Sequence, residues 1–344
     1  MNDRLLDRLG DPRSLTARDA HTTFEALIAP ATDDSRRIAI LHALARRTPS
    51  AVELTRFVRE LHRRAIPFAV PRRDRPIDLC GSGGARTPSF NISTVSAFVV
   101  AAAGVPVAKH GNRSSRGPCG SSDLLEALGL PVTTSLAFGR VTYQRFRLAF
   151  LHAPLYHPAT KAVAAARRAV GAPTVFNKLG PLSNPARITF QLVGVADLDT
   201  ARCATEVLRN LGRRRAMAVT SVEGCDEFSP KSATRAVVWT GRRLVDRTFF
   251  ARDLLPPEDR VGDWGALRPE LAAEEARRIL AGGGGARRGS VLLTAGAALW
   301  LAGAAGNPAQ GVARAREALD SGRAEAILEQ MVLVGRRYRR PRRV

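Results

Sequence analysis

Asp78-Leu-Cys-Gly-Ser-Gly-Gly-Ala-Arg-Thr-Pro-Ser-Phe-Asn-Ile-Ser-Thr94 decides the architecture. It opens as a short apolar strand, Ile77 to Cys80, and breaks into a turn carrying Gly81, Gly83 and Gly84. It resumes as a helix near Ser93, with Val95, Ala97, Phe98 and the apolar run from Val99 to Ala103 behind it. A strand, a glycine turn and a helix start together aim backbone N–H groups and a positive helix end at an anion. Glycines let the main chain approach a phosphate without a Cβ in the way.

Downstream the pattern repeats. Candidate strands are Ile77–Cys80, Pro106–Lys109, Leu148–His152, Thr174–Phe176, Gln191–Val195, Ala216–Thr220 and Ala236–Thr240, with helical segments between most of them. Alternation of this kind predicts an α/β fold: a mostly parallel sheet covered by helices, with ligands beyond the carboxyl ends of the strands. The loops after Cys80, Lys109, His152 and Thr220 then share one rim. Upstream, residues 1 to about 70 read as helices. Thr16-Ala-Arg-Asp19 and Ser50-Ala-Val-Glu53 have the form of capping boxes, and Asp34-Ser35 precedes Ile38, Leu41 and Leu44 at helical spacing. Pro71-Arg-Arg-Asp-Arg-Pro76 reads as a linker. A small helical domain, residues 1–71, joined by helices from about 177–210, and an α/β domain, 72–344, are therefore expected. Near the carboxyl end, Asn307-Pro308 marks a helix start.

Four segments carry chemistry. The glycine turn is the first. The second is Lys109-His-Gly-Asn-Arg113 with Ser114-Ser-Arg-Gly-Pro-Cys-Gly-Ser-Ser-Asp123, where Lys109, Arg113 and Arg116 supply cations and a helix starts near Ser122. Two such loops on one rim suit a substrate with two separate phosphate groups. The third is Glu223-Gly-Cys-Asp226-Glu227, adjacent acids of the kind that bind Mg²⁺ when phosphates share it; Ser93 can add a hydroxyl. The fourth is a helix over His157-Pro-Ala-Thr-Lys-Ala-Val-Ala-Ala-Ala-Arg167, whose Arg167 can pair bidentately with a carboxylate. No nucleophile is coupled to a base, so positioning and charge stabilisation are expected to do the chemistry, without a covalent protein intermediate.

Bulk properties bound the rest. The net charge is +22, but the arginines are dispersed and only Arg336-Arg-Tyr-Arg-Arg-Pro-Arg-Arg343 forms a basic tail. Solvated surface charge is the expectation, with no nucleic-acid partner. Four cysteines lack metal-ligand spacing, no apolar run is long enough for a membrane span, and Met1-Asn-Asp-Arg-Leu-Leu-Asp-Arg8 has no signal-peptide core. A cytoplasmic protein with reduced thiols is expected.

Together, Phe90-Asn-Ile-Ser-Thr94, Lys109-His-Gly-Asn-Arg113, Gly120-Ser-Ser-Asp-Leu-Leu-Glu-Ala-Leu-Gly129, Phe176-Asn-Lys-Leu-Gly-Pro-Leu-Ser-Asn-Pro185 and Asp226-Glu227 make the chain resemble anthranilate phosphoribosyltransferases of tryptophan biosynthesis over nearly its whole length. The resemblance implies a helical domain hinged to an α/β domain in a homodimer, using Mg²⁺. It implies that Gly81, Gly84, Ser89, Asn91, Ile92, Ser93, Thr94, Lys109, Arg113 and Ser121 hold phosphoribosyl pyrophosphate. It assigns His110, Asn112 and Arg167 to anthranilate, and Ser93, Asp226 and Glu227 to the metal. Two departures make the site more positive. Gly81-Ser-Gly-Gly-Ala85 stands where the family has Gly-Thr-Gly-Gly-Asp, and Arg116-Gly117 stands where it has two serines. A paralogue with another aromatic acceptor in specialised metabolism, or a non-catalytic nucleic-acid-binding homologue, remain alternatives at this point.

Overall fold

The structure is a computed structural model that describes residues 4–11, 15–82, 87, 89–114 and 117–338. Gly83, Gly84, Ala85 and Arg116, and the tail beyond 338, lie outside the described residues.

Helices Ala17–Ile28, Asp34–Ala45 and Ala51–Arg63 form where the sequence signals placed them. Both capping boxes are made: Ser50 Oγ accepts from the Glu53 amide at 3.2 Å while a Glu53 carboxylate oxygen accepts from the Ser50 amide at 2.7 Å. Asp33, one residue earlier than expected, caps the middle helix by accepting from the Arg36 amide.

Seven strands form one sheet in the order β3-β2-β1-β4-β5-β6-β7. They are β1 Ile77–Gly81, β2 Val107–Gly111, β3 Leu148–His152, β4 Phe190–Gly194, β5 Arg215–Ser221, β6 Ala233–Trp239 and β7 Leu244–Phe250. The first five run parallel, and β5, β6 and β7 pair antiparallel. The expected α/β class, helical at the N-terminus with a mostly parallel sheet, is what forms. Alternate strand residues point to opposite faces. Leu79, Met217 and Val219 join a core built with helices Ile92–Ala102, Ala286–Leu301 and Pro308–Asp320. Cys80, Val193, Ala216 and Ala218 face the other way, into a core shared by helix Leu198–Asn210, the N-terminal helices and Val163 to Leu182.

Three expectations change. Thr174–Phe176 is not a strand; it opens the helix Val175–Leu179, because Thr174 and Asn177 form a capping box. A three-residue β-branched and aromatic run does not by itself distinguish the two states. β7 carries no apolar run, since it is an edge strand whose Asp246, Arg247 and Thr248 are exposed. It closes a hairpin with β6 through Thr240-Gly-Arg-Arg243. The segment after His157 is a 3₁₀ turn, Pro158–Val163, followed by the helix Ala164–Val170.

The sheet's register places Gly81 opposite Gly194 and Gly111 opposite His152. Small residues at this rim admit the loops that cross it. A methyl group on Gly194 would overlap the Asp226 carbonyl oxygen. Gly194→Ala is therefore expected to cost about 1–3 kcal/mol by overpacking and to displace Asp226; urea unfolding measures it, and an unchanged midpoint refutes the contact.

Candidate active site

The carboxyl ends of β1, β2 and β5 open onto a cleft of about 350 Å³. Its lining includes Gly81, Ser89, Asn91, Ser93, Thr94, Lys109, His110, Asn112, Arg113, Ser121, Arg167, Asp226 and Glu227. Residues separated by nearly 150 positions thus converge as the sequence reading expects. Ile92 is buried at the helix start and points into the core instead of lining the cleft.

At the centre, the Lys109 ammonium donates to the Leu79 carbonyl oxygen and, at 3.2 Å, to Ser93 Oγ. The Ser93 amide donates to Glu227 Oε1 at 3.2 Å. Lys109, Ser93, Asp226 and Glu227 are all buried. Burial first, then the neighbouring Asp226, pushes the Glu227 carboxyl up to about 8, against the pull of Lys109. Two adjacent buried carboxylates crowd each other, which is the donor set a hard cation relieves. No group of three or more His, Cys, Asp or Glu is placed to hold a metal ion among the described residues, so a Mg²⁺ held here takes its remaining oxygens from water or substrate phosphates.

The two phosphate-type loops are tied together. Asn91 Nδ2 donates to the Cys119 carbonyl oxygen at 3.1 Å. Asp123 accepts from the amides of Gly120 and Ser114 at 2.9 and 3.0 Å, holding the turn before the helix Ser121–Ala127. Arg113 does not extend freely into the cleft: its guanidinium pairs with Asp123 at 2.8 Å and Glu126 at 2.7 Å. Its side chain is 51% exposed, so the pairs are weak enough to exchange for a phosphate.

Arg167 and the histidines of the lining are set differently. The Arg167 guanidinium lies 5.2 Å from the Phe176 ring centroid, and burial lowers its pKa with no carboxylate compensating. His110 and His157 pack edge to face with ring centroids 5.2 Å apart. Nε2 of His110 and both ring nitrogens of His157 are buried without a protein hydrogen-bond partner among the described residues. Burial holds His110 well below the usual imidazole range and brings His62 and His157 to about 4, helped for His62 by Arg213 and His157. These imidazoles are neutral at pH 7. A cation without an acid, beside neutral rings, suits a small aromatic anion. Cys80 and Cys119 are held in the thiol form: burial raises the first well above its ordinary value and pushes the second to about 12.

Residues 73–325 match the family described as glycosyl transferase family, a/b domain. Anthranilate phosphoribosyltransferase of Syntrophomonas wolfei is 37% identical over 341 residues, covering 98% of each chain. The chain belongs to the anthranilate phosphoribosyltransferase family. Its relative in Moorella thermoacetica is 39% identical, over 92% of this chain and 94% of that one. The crystal structure of anthranilate phosphoribosyltransferase from Thermus thermophilus has a TM-score of 0.86 at 34% identity, covering 96% of this chain and 99% of that chain. The Saccharomyces cerevisiae enzyme, solved in complex with PRPP and Mg, shares the fold at a TM-score of 0.82 and 22% identity, with 97% of both chains covered. Membership makes the protein a pentosyl-transferring enzyme. No helix among the described residues is long and apolar enough to cross a membrane.

Some parts of this family member's site escaped the sequence reading. Asp78 is fully buried under the rim, accepting from the His110 amide and from Gln191 Nε2, each at 3.1 Å. Gln191 Oε1 in turn accepts from Arg213 Nε at 3.0 Å. Burial drives the Asp78 carboxyl up to about 6 while Lys109 opposes. The signal was present as an aspartate and a glutamine inside two otherwise apolar strands. His62 had no such signal, since nothing local distinguishes a histidine beneath a cleft from one on a surface, and His157 figured only as the start of the Arg167 segment.

The depressed histidines have a measurable consequence. A group neutral in the folded state and near 6.5 when unfolded contributes stability that is full above 6.5 and lost as pH falls toward 4. His157→Gln removes one such group. The stability lost by wild type between pH 6.5 and 4, followed by urea unfolding, is expected to shrink in the variant; identical pH slopes contradict a buried neutral His157.

Proposed function

We propose that the protein transfers phosphoribose from phosphoribosyl pyrophosphate to the amine of anthranilate with Mg²⁺, as a step of tryptophan biosynthesis in the cytoplasm. The observation that carries the reading is the cleft's lining: a buried lysine, two buried acids and two phosphate-type turns share it with Arg167, His110 and His157. The names of the curated relatives support it.

In this reading Gly81, Ser89, Asn91, the Ile92 and Thr94 helix start, Ser93, Lys109, Arg113 and Ser121 hold phosphoribosyl pyrophosphate, together with Gly84, which lies outside the described residues. Asp226, Glu227 and Ser93 would hold Mg²⁺, which when bound offsets charge on the leaving pyrophosphate. The C1–O bond to pyrophosphate breaks and its electron pair leaves with the pyrophosphate. The amine nitrogen bonds to C1 of the electron-poor ribose and gives up a proton to water or to the departing pyrophosphate. Lys109, buried beneath the ribose position, adds fixed positive charge on the pyrophosphate side. Arg167 takes the carboxylate bidentately, with His110 and Asn112 beside the ring, and so aims the amine. A homodimer, and a helical unit of residues 1–71 with helices from about 177–210 hinged to an α/β unit of 72–344, belong to the same proposal.

Loss of anthranilate fluorescence in the presence of phosphoribosyl pyrophosphate and Mg²⁺ tests the reading. Turnover that needs all three components is the expected result. No turnover at any substrate concentration rejects anthranilate as the acceptor.

A further inference from the structure

His152 ends β3, and Ser122 lies in the first turn of the helix Ser121–Ala127. Neither belongs to the residues assigned above. Both are buried, and His152 Nδ1 lies 2.8 Å from Ser122 Oγ. This bond joins β3 to the turn that carries Ser121. A space of about 10 Å³ adjoins it, bounded among others by Lys109, Gly111, Ser121 and Leu125, enough for about one water.

Most of the turn's other restraints are local, apart from the Asn91 Nδ2 bond to the Cys119 carbonyl oxygen. Ser121 Oγ and the Ser122 amide donate to the Asn112 carbonyl oxygen, each at 3.1 Å, and Asp123 caps the Gly120 and Ser114 amides. These hold the loop to itself. Beyond the Asn91 tie, its position against the sheet rests on packing at Gly111, where a methyl group would overlap Ser121 Oγ, and on the His152–Ser122 bond.

We propose that His152 is a positioning residue for the pyrophosphate substrate: through Ser122 it sets the Asn112–Ser114 and Ser121 turn over the end of β2. This rests on the phosphoribosyl pyrophosphate reading. A buried polar pair is a costly way to fill space, because either partner alone is left unsatisfied. An apolar pair would pack as well without fixing the turn directionally. Burial, with Arg113 nearby, lowers the imidazole pKa against Asp123 and Glu126. The ring is therefore neutral and offers one donor and one acceptor nitrogen.

Four variants test it: His152→Phe, Ser122→Ala, their double, and His152→Asn, whose amide reaches the position of Nδ1. Calorimetric titration with phosphoribosyl pyrophosphate, without acceptor, reads binding independently of turnover; assays add both KM values and thermal scans add the midpoint. His152→Phe and Ser122→Ala are each expected to weaken phosphoribosyl pyrophosphate about 5-fold, the worth of one hydrogen bond. The KM for anthranilate rises less, because only Asn112 of the residues assigned to it lies on this turn, and His152→Asn keeps most of the affinity. The double variant has no orphaned polar group and recovers the thermal midpoint, but not the affinity. A merely structural pair would recover both, which overturns the inference, as does unchanged binding in His152→Phe. Failure of the wild-type protein to bind phosphoribosyl pyrophosphate removes the functional reading and this inference together. Wild-type binding without anthranilate turnover removes the acceptor alone.

Discussion

The double variant Asp226→Asn, Glu227→Gln is expected to lose about 10³-fold in turnover, equivalent to about 4 kcal/mol of transition-state stabilisation. Both side chains are buried at the cleft's centre, with the Ser93 amide directed at Glu227. Their amide counterparts keep size and shape but lose the charge that binds a hard cation. Stability should move the other way. The folded protein without metal crowds two carboxyl groups, and neutralising them removes that repulsion, so the variant's melting temperature is expected to equal or exceed wild type in the presence of chelator. Mg²⁺ with phosphoribosyl pyrophosphate should raise the wild-type midpoint by mass action and leave the variant's nearly unmoved. Retained turnover, or an equal ligand-induced shift in both proteins, removes the pair from the metal site.

Arg167→Ala is expected to raise the KM for anthranilate by about 10- to 100-fold, the worth of roughly 1.5–3 kcal/mol of charge-assisted hydrogen bonding. The KM for phosphoribosyl pyrophosphate should change little. The reason is chemical: Arg167 lines the cleft braced on Phe176, and no carboxylate among the described residues offsets its burial. Arg167→Lys should recover only part of the loss, because an ammonium lacks the planar fork that fits a carboxylate. Steady-state kinetics with each substrate varied separately decide the matter. A parallel rise in both KM values makes Arg167 a structural residue.

The helix starts at Ser50 and Asn307 were legible because their caps lie within three residues of the groups they satisfy. Lys109, Asp226 and Glu227 were legible as chemistry because they interrupt or follow apolar strands. Thr174–Phe176, which opens the helix Val175–Leu179, was read as a strand because the run is too short to show a period. β7 was invisible because its exposed face is charged. Arg113 was read as a free cation, and only the fold brings Asp123 and Glu126 to it.

The glycine turn after β1 and the motifs that follow it determined, by themselves, the α/β class, the rim that carries the loops and the family. Those signals are local: caps, glycines and apolar periods act over a few residues. The tertiary structure alone decided that Asp78 leans on Gln191, itself held by Arg213, that His62, His110 and His157 come together as neutral rings, and that His152 grips Ser122. Each depends on strand register and on burial, which set partners and proton affinities through contacts between residues far apart in the chain.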